Sequence, residues 1–186
     1  MNLFEQKEFS LGMTGTHKGM KPRQRSTVEA IVGFLLPDEA RHGDCIGADA
    51  EFHDIIRALT SATIVVHPPT NPKKRAWKQG DFILKEKDYM VRDDDIIAES
   101  DLMLAMPFQF EEQGRGSGTW AVIRHTRKAG KPLVIIWPDG TFTADLSLQN
   151  LPNCGRMLNA LSENLTNYQQ FAKEQTNVLD VSGEER

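Results

Sequence analysis

Two segments of the chain carry residue types that suit an anion. Gly116-Ser117-Gly118-Thr119 lies between an apolar run ending at Pro107 and a helical pattern. Glycine lets backbone approach a ligand and adopt positive φ. The first N–H groups of the following helix then point outward, with the positive end of its dipole behind them. Arg92, followed by Asp93, adds a planar fork of donors that matches phosphate oxygens. Each has a plainer reading. The turn is also compatible with a glycine loop entering a helix, and Arg92 with an ion pair to Asp94 or Asp95 on its own helix. Together they suggest a phosphate-bearing ligand.

Other residues could join them. Thr14, Gly15 and Thr16 follow the first predicted strand and suit either a phosphate or a tight turn. Gly47, Ala48 and Asp49 open a second helix, where Asp49 is either its N-cap or a partner for ribose hydroxyls. Trp77, Phe108 and Trp120 are aromatic faces for a nucleobase, with core packing the alternative for Trp120. His17 has no evident partner in sequence. His53, His67 and His125 lack metal-ligand spacing, and Cys45 and Cys154 form no CxxC pair, so neither a metal nor a disulfide framework is predicted.

These candidates need elements to hold them. Residues 9–14, 41–46, 63–66, 102–106 and 132–137 read as strands, Thr63–Val66 being a β-branched run of the buried parallel kind. Helical patterns lie between them. Ser26 and Glu29 form a capping-box signature before Val28, Ile31, Val32 and Leu35, and Pro37 stops that helix. Phe52, Ile55, Ile56 and Leu59 mark the inward face of the second. Asp93–Glu99 and Gly118–Ala129 are the next two, the latter closed by Gly130. Residues 70–90 read as a long loop with a short helix around 82–87.

The alternation predicts a doubly wound α/β fold of Rossmann-like type. Its sheet is mainly parallel with helices on both faces, and ligands bind outside the carboxyl ends of the strands. The domain is expected over residues 1–145. A helical extension over 146–175, with Leu158, Leu161, Leu165 and Tyr168 on one face, would pack on it or meet a second copy. Residues 176–186 are expected to be a disordered tail.

Several spacings agree with a known group. Arg92 and Asp101 stand nine apart, Pro107 follows six later, and Gly116, Gly118 and Thr119 come after it. This resembles the SLOG superfamily, whose phosphoribohydrolases of the Lonely Guy type carry an arginine, an aspartate and Pro-Gly-Gly-x-Gly-Thr-x-x-Glu. The superfamily also includes the DNA-processing protein A domain. Gly43-Asp44-Cys45-Ile46-Gly47-Ala48-Asp49 and Gly130-Lys131-Pro132 resemble the smaller YspA-like members more closely. The resemblance covers roughly residues 9–137. It implies a Rossmann-like nucleotide pocket using Arg92, Pro107, Gly116, Ser117, Gly118 and Thr119, and no cofactor. The chain departs from the pattern in an insertion from Phe108 to Gln113, in Arg115, and in Val122 where the family has its glutamate. Valine can neither move a proton nor steady a cationic centre; Glu111 or Glu112 in the insertion could substitute, although loop glutamates are more often simply solvated.

The resemblance therefore implies binding more than cleavage. The expectation is a sensor or sequestering protein for a nucleotide or ADP-ribose-like ligand. An N-glycosidic hydrolase acting on a nucleoside monophosphate is the alternative, and whether the chain is an enzyme stays open. DNA binding is the second alternative. Lys18, Lys21, Arg23 and Arg25, with Lys73, Lys74, Arg75 and Lys78, could form a basic face. A net charge of −4 and a pI near 5.7 weigh against a nucleic-acid partner. The chain shows neither a signal-peptide plan nor a membrane-length apolar run, so a cytoplasmic location is expected. A homodimer or higher homo-oligomer stays open.

Overall fold

Strand β1, Ser10–Gly15, is almost wholly buried because it is the centre of the sheet. In the computed structural model, residues 8–112 and 117–145 are described. The remaining elements in chain order are α1 (Pro22–Leu35), β2 (Glu39–His42), α2 (Ala48–Leu59), β3 (Thr63–Val66), a 3-10 turn (Pro72–Lys74), β4 (Phe82–Ile83), α3 (Tyr89–Glu99), β5 (Leu102–Met106), α4 (Gly118–Lys128), β6 (Leu133–Ile136) and β7 (Phe142–Asp145). The strands lie in the order β4-β3-β2-β1-β5-β6-β7. All pairs are parallel except β6 with β7.

The chain walks outward from β1 through β2 and β3 to β4, then returns to β5 on the other side of β1. The order therefore reverses between β1 and β5, and the crevice at their carboxyl ends is where such sheets bind ligands. Helices α1 and α2 pack together, as do α3 and α4. One side of the core gathers Ile96 and Ile97 of α3, Trp120, Val122 and Ile123 of α4, and Met103, Ala105, Leu133 and Ile135 of the sheet. These apolar side chains recur at helical spacing on one side and along buried parallel strands on the other, as the two layers require.

Several elements differ from the sequence reading. Helix α1 begins at Pro22. Ser26 is inside it, with its hydroxyl donating to the Pro22 carbonyl, so the Ser26–Glu29 pair is not a cap. Proline suits the first helical position because its missing N–H would be unpaired there anyway. The Gln24 carboxamide oxygen reaches back to the Lys21 N–H at 3.2 Å. Strand β2 starts two residues before the predicted run, and Leu59 is 44% exposed. No helix spans residues 82–87. Phe82–Ile83 instead pairs with Val65–Val66, and Asp81 accepts from the Ile64 N–H at 2.7 Å to set that register. Strand β7 was not anticipated from sequence. Gly116 and the C-terminal segment, with its Leu158–Tyr168 face, lie outside the described residues.

Gly47 and its neighbours explain why β1 and α2 meet so closely. Gly47 has φ +88, and a Cβ there would stand 2.5 Å from the His17 carbonyl carbon and oxygen. A Cβ on Gly15 would stand 2.4 Å from that of Ala48. The approach lets the Ala48 N–H donate to the Thr16 carbonyl at 3.0 Å. Gly47→Ala is expected to lower stability by about 2–3 kcal/mol, from backbone strain and the displaced loop. Urea denaturation would read this as a lower midpoint at unchanged slope.

Candidate functional site

A cavity of about 800 Å³ opens at the β1–β5 switch point. Its volume falls within the range that holds a drug-sized or nucleotide-sized molecule. Thr14, Gly15 and Thr16 line it from the end of β1. The Thr16 N–H donates to the Met106 carbonyl at 3.1 Å, and its carbonyl accepts from Gly19 at 3.2 Å. That ties the β1–α1 loop to the end of β5. The buried Gln24 carboxamide adds a second tie, donating to the carbonyls of Pro107 at 3.0 Å and Ile136 at 2.7 Å. One α1 side chain thus joins the ends of β5 and β6. Pro107 serves here as an anchor and does not line the cavity.

Ser117, Gly118 and Thr119 line the opposite wall. Ser117 is the N-cap of α4, accepting from the Trp120 N–H at 3.5 Å. No acidic residue stands in the first turn of α4, so its positive end is left uncompensated. Helix α2 differs, carrying Asp49 and Glu51 in its first turn. Gly47 and Ala48 are outside the lining and fix its position from behind.

Asp49 is not the N-cap, which is Gly47. Its Oδ2 accepts from the N–H groups of Gly43 at 2.9 Å and Cys45 at 3.2 Å, clamping the loop that precedes α2. Burial pushes its carboxyl up, against the pull of Arg92.

Arg92 lies in the floor of the cavity with its side chain 7% exposed. Its ion pair is with the adjacent Asp93, Nη1 to Oδ1 at 3.0 Å, and not with Asp94 or Asp95. Those two face outward to His125 and Lys87. Nη2 donates to Cys45 Sγ at 3.1 Å, and the buried Nε has no acceptor among the described residues. Burial opposes the guanidinium's charge, but Asp93 and Asp49 outweigh it and keep it firmly cationic. Gly43 makes room for it, since a Cβ there would stand 1.3 Å from Nη1. The Asp93 carboxyl is pushed up by burial to about 6, with Arg92 opposing. The Cys45 thiol is pushed up by burial to about 12, which keeps it protonated and poor as a nucleophile at neutral pH.

Cations and an aromatic ring rim the opening. Lys18, Lys74 and Phe108 line it, and the Lys18 and Lys21 ammonium groups lie 4.1 and 4.8 Å from the Phe108 ring centre. Lys74 arrives on a strap, residues 72–78, anchored by fully buried Asp44. Asp44 accepts from Arg75 Nε at 2.7 Å and the Lys78 N–H at 2.9 Å. The strap's Trp77 stacks on Arg75 away from the cavity. His17 also lines the cavity, without a polar partner among the described residues.

The remaining candidates lie elsewhere. Asp101 sits at the far end of the sheet, where its Oδ2 accepts from the Ser10 N–H at 3.0 Å and joins the starts of β1 and β5. Trp120 and Val122 are in the core, and Glu112 pairs on the surface with Arg124. His42 and His53 share a buried hydrogen bond of 3.0 Å. The Asp44 N–H donates to His42 Nδ1, so His42 carries its proton on Nε2. Among the described residues no group of His, Cys, Asp or Glu has metal-site geometry. No described helix is long and apolar enough to cross a membrane.

No family model and no curated protein matches the chain by sequence. Solved structures do resemble it. The molybdenum cofactor binding protein from the phototrophic bacterium Rippkaea orientalis matches with a TM-score of 0.56 at 14% identity, over 92% of this chain and 99% of that one. The Moco carrier protein from Chlamydomonas reinhardtii gives 0.53 at 17%, over 86% and 87%. DNA processing protein A from Streptococcus pneumoniae gives 0.52 at 14%, over 83% of this chain and 57% of that one. At such identities the likeness is one of fold. The strand order, with its reversal between β1 and β5, and these likenesses together give the chain a Rossmann-like fold shared with these proteins.

Proposed function

We propose that the chain binds a phosphorylated small molecule of the nucleotide or ADP-ribose class in the switch-point cavity, as a sensor or sequestering protein. The observation that carries this reading is Arg92. A guanidinium buried in the cavity wall, with one carboxylate and one weakly accepting thiol for partners, is costly unless a ligand oxygen adds to its shell. The acid-free start of α4, with Lys18 and Lys74 at the rim, supports an anionic group on the same ligand. Phe108 offers a face for a base. The molybdenum cofactor named for two of the structural neighbours belongs in the same set of candidates.

Calorimetry against AMP, NAD, ADP-ribose and cyclic ADP-ribose isomers tests the proposal. At least one is expected to bind with a Kd below 1 mM. Affinity should fall as salt is raised, since rim lysines are exposed. If none binds more tightly than millimolar, the reading fails.

Cleavage needs a carboxyl near the anomeric carbon. The family position is core Val122, so the role would pass to Asp93, whose carboxyl near 6 lines the cavity. Release of free base from AMP by the wild-type protein, and not by Asp93→Asn, would convert the binding reading into this one.

A further inference from the structure

We infer that Asp93 is a specificity-determining residue that reads free sugar hydroxyls, so that the cavity selects a ribose phosphate over its deoxy counterpart. This rests on the phosphate reading above and narrows it. Asp93 and Arg92 are neighbours on α3, and both line the cavity. Asp93 Oδ1 holds Arg92, while Oδ2 has no donor among the described residues. The side chain is 11% exposed and lines the cavity. Asp49, the other carboxylate there, accepts two backbone N–H groups through Oδ2, whereas the Arg92 guanidinium is the one polar partner of Asp93 among the described residues.

The chemistry follows from that asymmetry. An ionised carboxylate only accepts. It repels a phosphate and needs a donor facing it. Arg92 beside it only donates and needs an acceptor. A ligand satisfying both must present an anionic or carbonyl oxygen next to a hydroxyl. A phosphorylated pentose with free 2′ and 3′ hydroxyls has that pairing along one edge. A plain polyphosphate does not, and neither does a deoxysugar at the missing position. A hydroxyl donating to a buried carboxylate is the strong kind of hydrogen bond, and losing it leaves Oδ2 dry and unpaired.

The test compares AMP with its 2′-deoxy and 3′-deoxy forms and with adenosine, by calorimetry on the wild-type protein and on Asp93→Ala. Wild type is expected to bind AMP about ten- to a hundredfold more tightly than at least one deoxy form. In Asp93→Ala that ratio should fall to within about threefold. Equal wild-type affinities for AMP and both deoxy forms overturn the inference and leave the phosphate reading standing. A ratio that survives in Asp93→Ala also overturns it. If adenosine binds as well as AMP, the phosphate reading itself fails, whatever the deoxy ratio. Should Asp93→Ala not fold, Asp93→Leu, which fills the site without an acceptor, is read in its place, and a ratio that survives there overturns the inference.

Discussion

Arg92→Met is expected to lower stability by about 3–5 kcal/mol at pH 7 and to abolish nucleotide binding. Methionine fills much of the same volume, so the loss would come from charge and not from a void. Asp93 and Asp49 lie beside the guanidinium, both buried, with Asp93 raised to about 6 even while Arg92 is present. Without it both carboxyls must protonate or remain as uncompensated buried charge. The sign of the pH dependence follows. In the variant the folded state holds protons that the unfolded state has released, so its stability falls as pH rises from the ordinary carboxyl range toward neutrality. The gap between wild type and variant should therefore be widest at pH 7 and above, and close as pH drops toward 4. Urea melts at pH 4, 5, 6 and 7 check this. A gap that is constant with pH would mean that Arg92 contributes packing alone.

Gly43→Ala is expected to reproduce the binding defect of Arg92→Met without touching the arginine. The added methyl would occupy the place of Nη1, at 1.3 Å. The guanidinium can yield because its stem is flexible, but only by leaving Asp93 and Cys45. The expected cost is about 2–4 kcal/mol. Combining Gly43→Ala with Arg92→Met should cost hardly more than Arg92→Met alone, since the clash disappears with the side chain. That non-additivity, measured as a double-mutant cycle, identifies the displaced group. Gly118→Ala is the control. Nothing lies within 4 Å of a Cβ there, so stability should stay within about 0.5 kcal/mol of wild type.

The alternation of strands and helices was legible because β3, β5 and β6 are continuous apolar or β-branched runs and most helices carry an apolar stripe. Strand β4 was misread because Phe82 to Lys87 mixes apolar and basic residues at spacings that also suit a helical turn, and only pairing with β3 makes it a strand. Strand β7 has no such run and gains its identity from β6. The start of α4 was legible because turn chemistry is local. The roles of Gly43, Gln24 and Asp44 were not, because each acts through space on residues far along the chain. Asp101 shows the opposite limit. Its spacing from Arg92 matched a family motif, yet the sheet carries it to the end away from the cavity.

Asp44 also has a dynamic consequence. The 72–78 strap has almost no apolar anchorage of its own, since all three residues of its 3-10 turn are exposed. It is held through the Asp44 carboxylate, an ion pair of Lys78 with Asp54 on α2, and a few backbone bonds, among them Ala76 N–H to the Asp44 carbonyl at 2.7 Å and Ile46 N–H to the Lys74 carbonyl at 3.0 Å. Strap and β2–α2 loop must therefore detach together, as a single cooperative unit of local unfolding. Because Lys74 rides on that unit, a bound anion would act as a latch, and the rate at which the unit opens would set how long the ligand stays.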